Sequence, residues 1–296
     1  MNWLIINLSE NNDDTNILKD LLVSYNADVT ICDSFENVSI LEEYINHCEY
    51  CIWLGKNPYA SEIYMKVAYY FGFFIGKQIP FFCVISDNKV IPAKSEKCLV
   101  FDDLTSLTNT LKDRFPEFIE KEKQKNAKLK LIEMGIPFNP DSFAFHIASD
   151  NEKECSLFFD AGIDINSRDA AGTPMLCIAA RNNRKKMIEK LIDLGADINA
   201  ISLDRGYSPI MDAVWKSNSE IVEILISRGA NLDFISRDGQ PILVLAVGTG
   251  NEKICRLLVE NGADFSICDS MGMSALAYAK LFKKEKLISI FEAVQK

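Results

Sequence analysis

The chain has 296 residues, of which 48% are hydrophobic and 25% charged, the profile of a soluble globular protein with room for two domains. Its net charge of −10 is concentrated early: residues 1–120 hold 9 Lys and Arg against 18 Asp and Glu, and the remainder holds 23 against 24. A protein that grips phosphate backbones needs a basic surface, so this balance argues against a nucleic-acid partner.

The opening run Met1-Asn2-Trp3-Leu4-Ile5-Ile6-Asn7-Leu8 lacks a basic leader and is too short in apolar residues for a signal peptide. Strand-like and helix-like segments then alternate. Trp3–Leu8 reads as a strand, Thr15–Tyr25 as an amphipathic helix, Val29–Cys32 as a strand and Ile40–His47 as a helix. Tyr50–Leu54 is the next strand, Ala60–Ile75 a helix, Pro80–Ile85 a strand, Leu99–Phe101 a short strand and Leu104–Arg114 a helix. The most apolar stretch, Val67–Ile85, is broken by Gly76-Lys77-Gln78 and Pro80. A bilayer span needs about 20 apolar residues without such a break, so no membrane segment is expected. Alternating β and α with apolar strands predicts a parallel sheet covered on both faces, and five strands fit a flavodoxin-like order. Ligands of such sheets bind beyond the carboxyl ends of the strands, near a switch in strand order.

The nine cysteines are scattered and mostly lie in apolar runs, as Cys83 does in Phe81-Phe82-Cys83-Val84-Ile85. That is the pattern of reduced thiols in a cytoplasmic protein, not of a disulfide framework. His47-Cys48-Glu49-Tyr50-Cys51 contains one C-x-x-C, but no second pair follows at zinc spacing. The two histidines, His47 and His146, are far apart, and no Gly-rich phosphate loop is present. No metal site and no bound cofactor are expected.

Cys51-Ile52-Trp53-Leu54-Gly55-Lys56-Asn57-Pro58-Tyr59-Ala60-Ser61-Glu62 runs from a strand through a Pro-containing loop to a carboxylate at a helix start. Ala68, Gly72 and Gly76-Lys77-Gln78-Ile79-Pro80 then lead to the next strand. This resembles the core of the TIR and nucleoside 2-deoxyribosyltransferase group. The resemblance covers about 30 residues well and the first 115 in outline. It implies cleavage of an N-glycosidic bond, with NAD or a nucleoside as substrate and Glu62 as the catalytic carboxylate. An oxocarbenium-like transition state needs such a group beside the anomeric carbon. The helix N-terminus favours ionised Glu62 by about 0.3–1 kcal/mol, keeping it available as nucleophile or charge stabiliser. Ser9, Tyr59 and Ser61 are the accompanying substrate-binding candidates. Two departures weigh against this activity. Asn57-Pro58-Tyr59-Ala60-Ser61 stands where the deoxyribosyltransferases carry an Asp and a Gly-Thr, and the acidic loop Ser9–Asp14 would repel a pyrophosphate. The alternative reading is that Glu62 is an ordinary first-turn acid on a domain without activity. Such a domain also offers a surface for self-association.

A charged, Lys-rich helix spans about Pro116–Met134 and reads as a connector. The expected division is therefore 1–115, an α/β domain; 116–136, the connector; and 137–296, a helical array.

That array announces itself by period. Gly162, Gly195, Gly229 and Gly262 are spaced 33, 34 and 33 residues, each followed by a small or apolar residue and then Asp or Asn. A second ladder, Gly172, Gly206, Gly239 and Gly272, runs in phase at 34, 33 and 33. A period near 33 indicates units built from a turn and two antiparallel helices. In Gly206-Tyr207-Ser208-Pro209-Ile210-Met211-Asp212-Ala213-Val214, the Gly permits a tight turn, Ser208 can cap the helix and Pro209 fits its first position. The second helix, Ser219–Ser227, carries Ile221, Val222, Ile224, Leu225 and Ile226 across a broad apolar face, and Gly229 ends it in a left-handed conformation.

This pattern resembles the ankyrin-repeat family, whose units read Gly-x-Thr-Pro-Leu-His-x-Ala followed by Gly-Ala-Asp. The Pro sits one place early in Gly172-Thr173-Pro174 and Gly239-Gln240-Pro241. The family His is replaced by Cys177, Met211, Val244 and Ala277, and the first unit is expected to keep it as His146. About five units including caps are expected, the first at about 139–167 and the last at about 269–296. The resemblance implies a protein partner, held on the concave side by turn tips and the starts of inner helices. Carried over by position, the candidates are Arg181, Asn182, Arg205, Tyr207, Trp215, Lys216, Arg237, Asp238 and Gln240. An exposed Trp215 would make an anchor contributing about 2 kcal/mol or more; a Trp215 packed on its neighbouring repeat would not. The first reading is thus an interaction protein with a TIR-like effector or second docking module. The second is an enzyme that cleaves an N-glycosidic bond through Glu62.

Overall fold

The computed structural model describes residues 1–8, 12–33, 38–55, 70, 72–84 and 97–294, and divides into two compact units, Met1–Glu122 and Lys123–Lys296. In the first, five strands form one sheet: β1 (Asn2–Asn7), β2 (Asp28–Cys32), β3 (Tyr50–Leu54), β4 (Phe81–Val84) and β5 (Cys98–Phe101). The order is β2-β1-β3-β4-β5, every pair parallel. Alternation along each strand divides the core in two, because successive side chains point to opposite faces. Trp3, Ile5, Tyr50, Ile52 and Phe82 face one side, against Leu18 and Leu22 of helix α1 (Asn12–Ser24). Leu107, Leu111, Phe115 and Phe118 of helix α2 (Leu104–Glu133) cover the same face, at the spacing of one helical stripe. Leu4, Ile6, Cys51, Trp53, Phe81 and Cys83 face the other side, beneath Leu41 and Ile45 of the helix Val38–His47 and Tyr70 and Phe74. Both faces of the central strands β1, β3 and β4 are buried, which is why these strands read as apolar runs.

Two boundaries differ from the sequence reading. Leu104–Glu133 is one 30-residue helix with Pro116 inside it, so the expected helix Leu104–Arg114 and the connector are a single element. A mid-helix proline lacks one N–H and crowds the preceding turn; the stripe Leu107-Leu111-Phe115-Phe118 is anchored on the sheet on both sides of it. The two compact units meet at residues 122 and 123, within this helix. Ser9, Tyr59, Ser61 and Glu62 lie outside the described residues.

The second unit is a stack of five helix pairs. The inner helices are Pro140–Ser149, Met175–Arg181, Pro209–Trp215, Ile242–Thr249 and Ala275–Leu281. Their outer partners are Glu152–Asp160, Lys185–Asp193, Ser219–Ser227, Glu252–Glu260 and Glu285–Val294. One continuous apolar core runs through the stack, from Leu131 and Phe143 to Leu287 and Phe291. No single pair could bury that surface alone, which is why the units must stack.

Each hairpin between inner and outer helix turns on one left-handed residue: Asp150, Asn183, Ser217, Gly250 and Lys283, at φ between 54° and 74°. Their spacing of 33, 34, 33 and 33 adds a third ladder, hidden from the sequence because five residue types occupy it. This ladder corrects one assignment. His146 lies four residues before its left-handed residue, in phase with Ala179, Ala213, Ala246 and Ala279; the position in phase with Cys177 is Ala144. His146 is buried, its Nδ1 2.9 Å from Asn151 Nδ2.

Polar contacts repeat with the period. Backbone N–H groups of Asp197, Asn231 and Asp264 donate to the side-chain oxygens of Asn166, Asn199 and Asp233 in the preceding unit, at 2.8–2.9 Å. Asn218 and Asn251 cap their outer helices through Ile221 and Ile254 N–H. Ser208 does not cap: it is buried and its side chain accepts no helix N–H, whereas Ser274 in the same phase accepts from Ala277 N–H. The Gly172 ladder has a steric reason beyond positive φ. A Cβ on Gly172 would stand 2.6 Å from Leu203, and one on Gly206 2.6 Å from Arg237 Cβ, each in the next unit. These glycines let neighbouring turn tips close on one another.

Candidate functional site: the inner face of the repeats

The third turn tip differs from its neighbours by one residue. In the second, fourth and fifth units, Gly172, Gly239 and Gly272 N–H donate to the carbonyl three residues earlier, at Asp169, Ser236 and Asp269. In the third, Gly206 N–H donates four residues back, to Ser202 O. The small antiparallel bridges Arg168–Pro174, Ile235–Pro241 and Cys268–Ser274 accompany the tighter tips. The wider tip Ser202–Gly206 projects Asp204 and Arg205.

Asp204 closes on Arg181 from the neighbouring inner helix. Arg181 Nη1 donates to Asp204 Oδ2 at 2.6 Å, and Nη2 donates to Asp204 Oδ1 and Ser202 Oγ, both at 3.0 Å. Its Nε donates to Asp212 Oδ2 at 2.9 Å, and the Asp212 side chain is fully buried. The bonds from Arg181 hold the Asp204 carboxyl down at about 2. Burial pushes the Asp212 carboxyl above its ordinary value, and Arg181 opposes that rise. The two carboxylates therefore shift in opposite directions against one cation. The difference is exposure: Asp204 keeps 28% of its side chain in water and Asp212 none.

Of the nine partner candidates, five come together. Arg205, Tyr207, Trp215, Arg237 and Asp238 line, with Asp204, one open depression of about 400 Å³ at the third and fourth tips. Trp215 ends the third inner helix with 53% of its surface exposed, so it is not packed away on a neighbouring repeat. Tyr207 is half-buried, with its hydroxyl 3.3 Å from Gln240 Oε1. Arg237 Nη1 donates to Leu203 O at 3.2 Å, pinning the fourth tip to the third. Gln240 and Asp238 also border a second depression of about 380 Å³ between the fourth and fifth units. Arg181, Asn182 and Lys216 do not line the first one. Arg181 is 14% exposed and held inside the ion network, Asn182 donates to Ile178 O in its own helix, and Lys216 is exposed.

Asp204 and Gly248 line these two depressions and are not among the sequence candidates. The signal for Asp204 was the lone 34 in both glycine ladders, which marks the extra residue. Gly248 occupies the row Ala148, Arg181, Trp215, Gly248, Leu281, each two residues before the left-handed position. A Cβ there would meet nothing within 4 Å, so packing does not require glycine. Glycine inside a helix costs about 1 kcal/mol relative to alanine.

The α/β unit presents a depression of about 400 Å³ lined by Asn2, Asp28, Thr30, Glu43, Tyr44 and His47 among others. It sits at the amino ends of β1 and β2, not at the carboxyl ends where ligands of parallel sheets bind. Cys48 and Cys51 do not form an open ligand pair: Cys51 is fully buried in β3, and burial pushes the Cys48 thiol up to about 11. The nine cysteines are free thiols, and Cys268 is exposed. No helix among the described residues is long and apolar enough to cross a membrane.

Comparison with known proteins places these repeats. The family model for ankyrin repeats (3 copies) matches residues 145–236 and 210–291. A putative ankyrin repeat-containing protein of Treponema pallidum (strain Nichols) is 35% identical over 197 residues, 64% of this chain and 66% of its own length. The B-cell lymphoma 3 protein homolog of Mus musculus is 31% identical over 34% of this chain and 23% of its own length. The chain thus spans just under two thirds of the first relative and under a quarter of the second. Among solved structures, the ankyrin repeat domain of Bcl-3 aligns at 25% identity and TM-score 0.48, covering 51% of this chain and 67% of that one.

Proposed function

Residues 145–291 belong to the ankyrin-repeat family, and from that premise we propose that the chain is an interaction protein that holds a protein partner on the inner face of its array. One observation carries this reading: Tyr207 and an exposed Trp215 share a depression with Arg205, Arg237 and Asp238. Aromatic and arginine side chains grouped around a concavity are the usual composition of a binding hot spot. The test is recovery of a partner by the full chain and by Trp215→Ala and Tyr207→Ala. Truncating a Trp anchor should cost about 2 kcal/mol, or roughly 30-fold in affinity. Unchanged recovery by both variants removes this surface from the function.

The α/β unit is the effector or second docking module in this reading, and a surface for self-association. Its order β2-β1-β3-β4-β5 is the flavodoxin-like one, which supports the TIR-like resemblance. Nine free thiols support a reducing, cytoplasmic setting.

A second reading rests on the same sheet order. The carboxyl ends of β1 and β3 lie side by side where the strand order switches, and Tyr59, Ser61 and Glu62 follow β3 in the sequence. In this reading the unit cleaves the N-glycosidic bond of NAD or a nucleoside through Glu62. Purified protein incubated with NAD and common nucleosides, in dilute and in assembly-promoting conditions, tests it. Release of nicotinamide or free base no greater than from Glu62→Ala discards it.

A further inference from the structure

The inner-face row Ala148, Arg181, Trp215, Gly248, Leu281 has one gap. Flanked by Trp215 on one side and Leu281 on the other, Gly248 opens a slot between the fourth and fifth units. Val244 and Val247, both buried, form its floor. Tyr278 and Phe282 form one wall, their rings stacked at 5.8 Å and 17°. Asp238 and Asp269 stand at the rim, and no Lys, Arg or His is among the lining residues. Arg237, adjacent to Asp238 in sequence, is directed to the third unit, where it donates to Leu203 O.

Resting on the reading that the inner face binds a protein segment, we propose that this slot takes an Arg or Lys side chain of the partner. The chemistry of the walls selects that residue class. Valines and ring faces match the aliphatic stem of a long basic side chain. The stacked Tyr278 and Phe282 offer ring faces to a cation. Asp238 and Asp269 accept charge-assisted hydrogen bonds from it. An uncharged apolar anchor would strip water from the two carboxylates and return nothing to them, and an acidic one would meet two like charges. Asp269 is also fixed in place: its Oδ1 accepts from Met271 and Met273 N–H, and its Oδ2 accepts from the Tyr278 hydroxyl at 2.6 Å. These bonds hold its carboxyl below the ordinary range, so it remains ionised. The glycine itself fits a ligand role, since a Cβ at Gly248 would touch nothing of the fold.

The experiment selects linear peptides from a random display library on the immobilised full chain. The enriched peptides are then synthesised and their affinity measured by fluorescence anisotropy against wild type, Gly248→Leu, Asp238→Asn and Trp215→Ala. The position in phase with Gly248 holds Leu281 and Trp215 in the adjoining units, so Gly248→Leu is expected to fold, and its melting curve checks this. The expected result is a selected motif with one fixed Arg or Lys. Replacing that residue by norleucine, or filling the slot with Gly248→Leu, should each weaken binding tenfold or more. Asp238→Asn should weaken it severalfold, and raising salt should weaken wild type more than Asp238→Asn. A motif without a fixed basic residue overturns the proposal, as does binding to Gly248→Leu within twofold of wild type. Peptides sensitive to Trp215→Ala but not to Gly248→Leu sink this proposal and leave the inner-face reading standing. Peptides sensitive to neither, or a library that enriches nothing, sink both.

Discussion

Arg181 is the side chain whose loss should be felt most in the array. It joins the second inner helix to the third unit by four hydrogen bonds, to Asp212, Asp204 and Ser202. Arg181→Met keeps the aliphatic stem and removes the guanidinium, leaving Asp212 buried without its hydrogen-bonded cation and with only the weaker field of Arg205 against it. Breaking a buried pair from one side costs about 3–5 kcal/mol, because the surviving charge is stranded. The bonds to Asp204 add less, since that carboxylate keeps contact with water. For an array of this size about 1 kcal/mol moves the melting temperature by roughly 2–4 °C, so the expected drop is on the order of 6–20 °C. Urea denaturation and calorimetry measure it. The double variant Arg181→Met/Asp212→Leu should recover most of the loss, because an apolar pair replaces an ion pair at little cost. A loss below about 1 kcal/mol for Arg181→Met, or a double variant no more stable than the single one, refutes the stranded-charge argument.

Two further effects follow from the same turn tips. Gly206→Ala puts a Cβ 2.6 Å from Arg237 Cβ at a φ of +67°; the left-handed backbone costs about 1–2 kcal/mol and the overlap about 1–3 more, read as a lower urea midpoint. Gly195→Ala, also at positive φ but with open space around the added atom, should lose only the backbone share. The Asp204 carboxyl is held at about 2 by Arg181, below its unfolded value near 4. Its contribution is therefore fully present above about pH 4 and is lost as pH falls through 2. The stability difference between wild type and Asp204→Asn should be flat above pH 5 and shrink below 4. A difference that instead grows above pH 5 contradicts the sign. Burial raises the Asp212 carboxyl, and its contribution runs the other way, so the comparison must be made at Asp204 alone.

How far the sequence could be read depends on where each signal resides. The glycine ladders were legible because left-handed backbone and close tip contacts both demand glycine at Gly172 and Gly206. The hairpin ladder was not, because Asp150, Asn183, Ser217 and Lys283 adopt the same backbone without glycine. The phase of the first unit is hidden with it, since the position in phase with Cys177 is Ala144 and His146 lies two residues further on. The strands β1, β3 and β4 were legible as apolar runs, since the middle of a sheet covered on both faces needs apolar residues at nearly every position, whereas edge strand β2 keeps Asp28 and Thr30 exposed. Pro116 misled in the other direction: local chemistry reads it as a break, whereas contacts of Phe115 and Phe118 with the sheet carry the helix through it. The fate of Arg181 was beyond any local reading. Its position marks a contact residue, but the extra residue in the next tip brings Asp204 across to take it.

That extra residue also explains why the inner face is not uniform. A regular stack would repeat one surface five times and offer a partner no fixed register. Widening the third tip by one residue projects Asp204 and Arg205, draws Arg181 into the fold and leaves Trp215 exposed as the next large side chain in the row. One unit further on, Gly248 empties the same position. Neighbouring units therefore present a protruding indole and then a recess with acidic rims, an ordered pair of unlike features on a repeating scaffold. A bound segment can satisfy both in only one direction and one register. Exchanging the features, by Trp215→Gly together with Gly248→Trp, should abolish binding of a segment selected on wild type. Retention by this variant would mean that the row does not set the register.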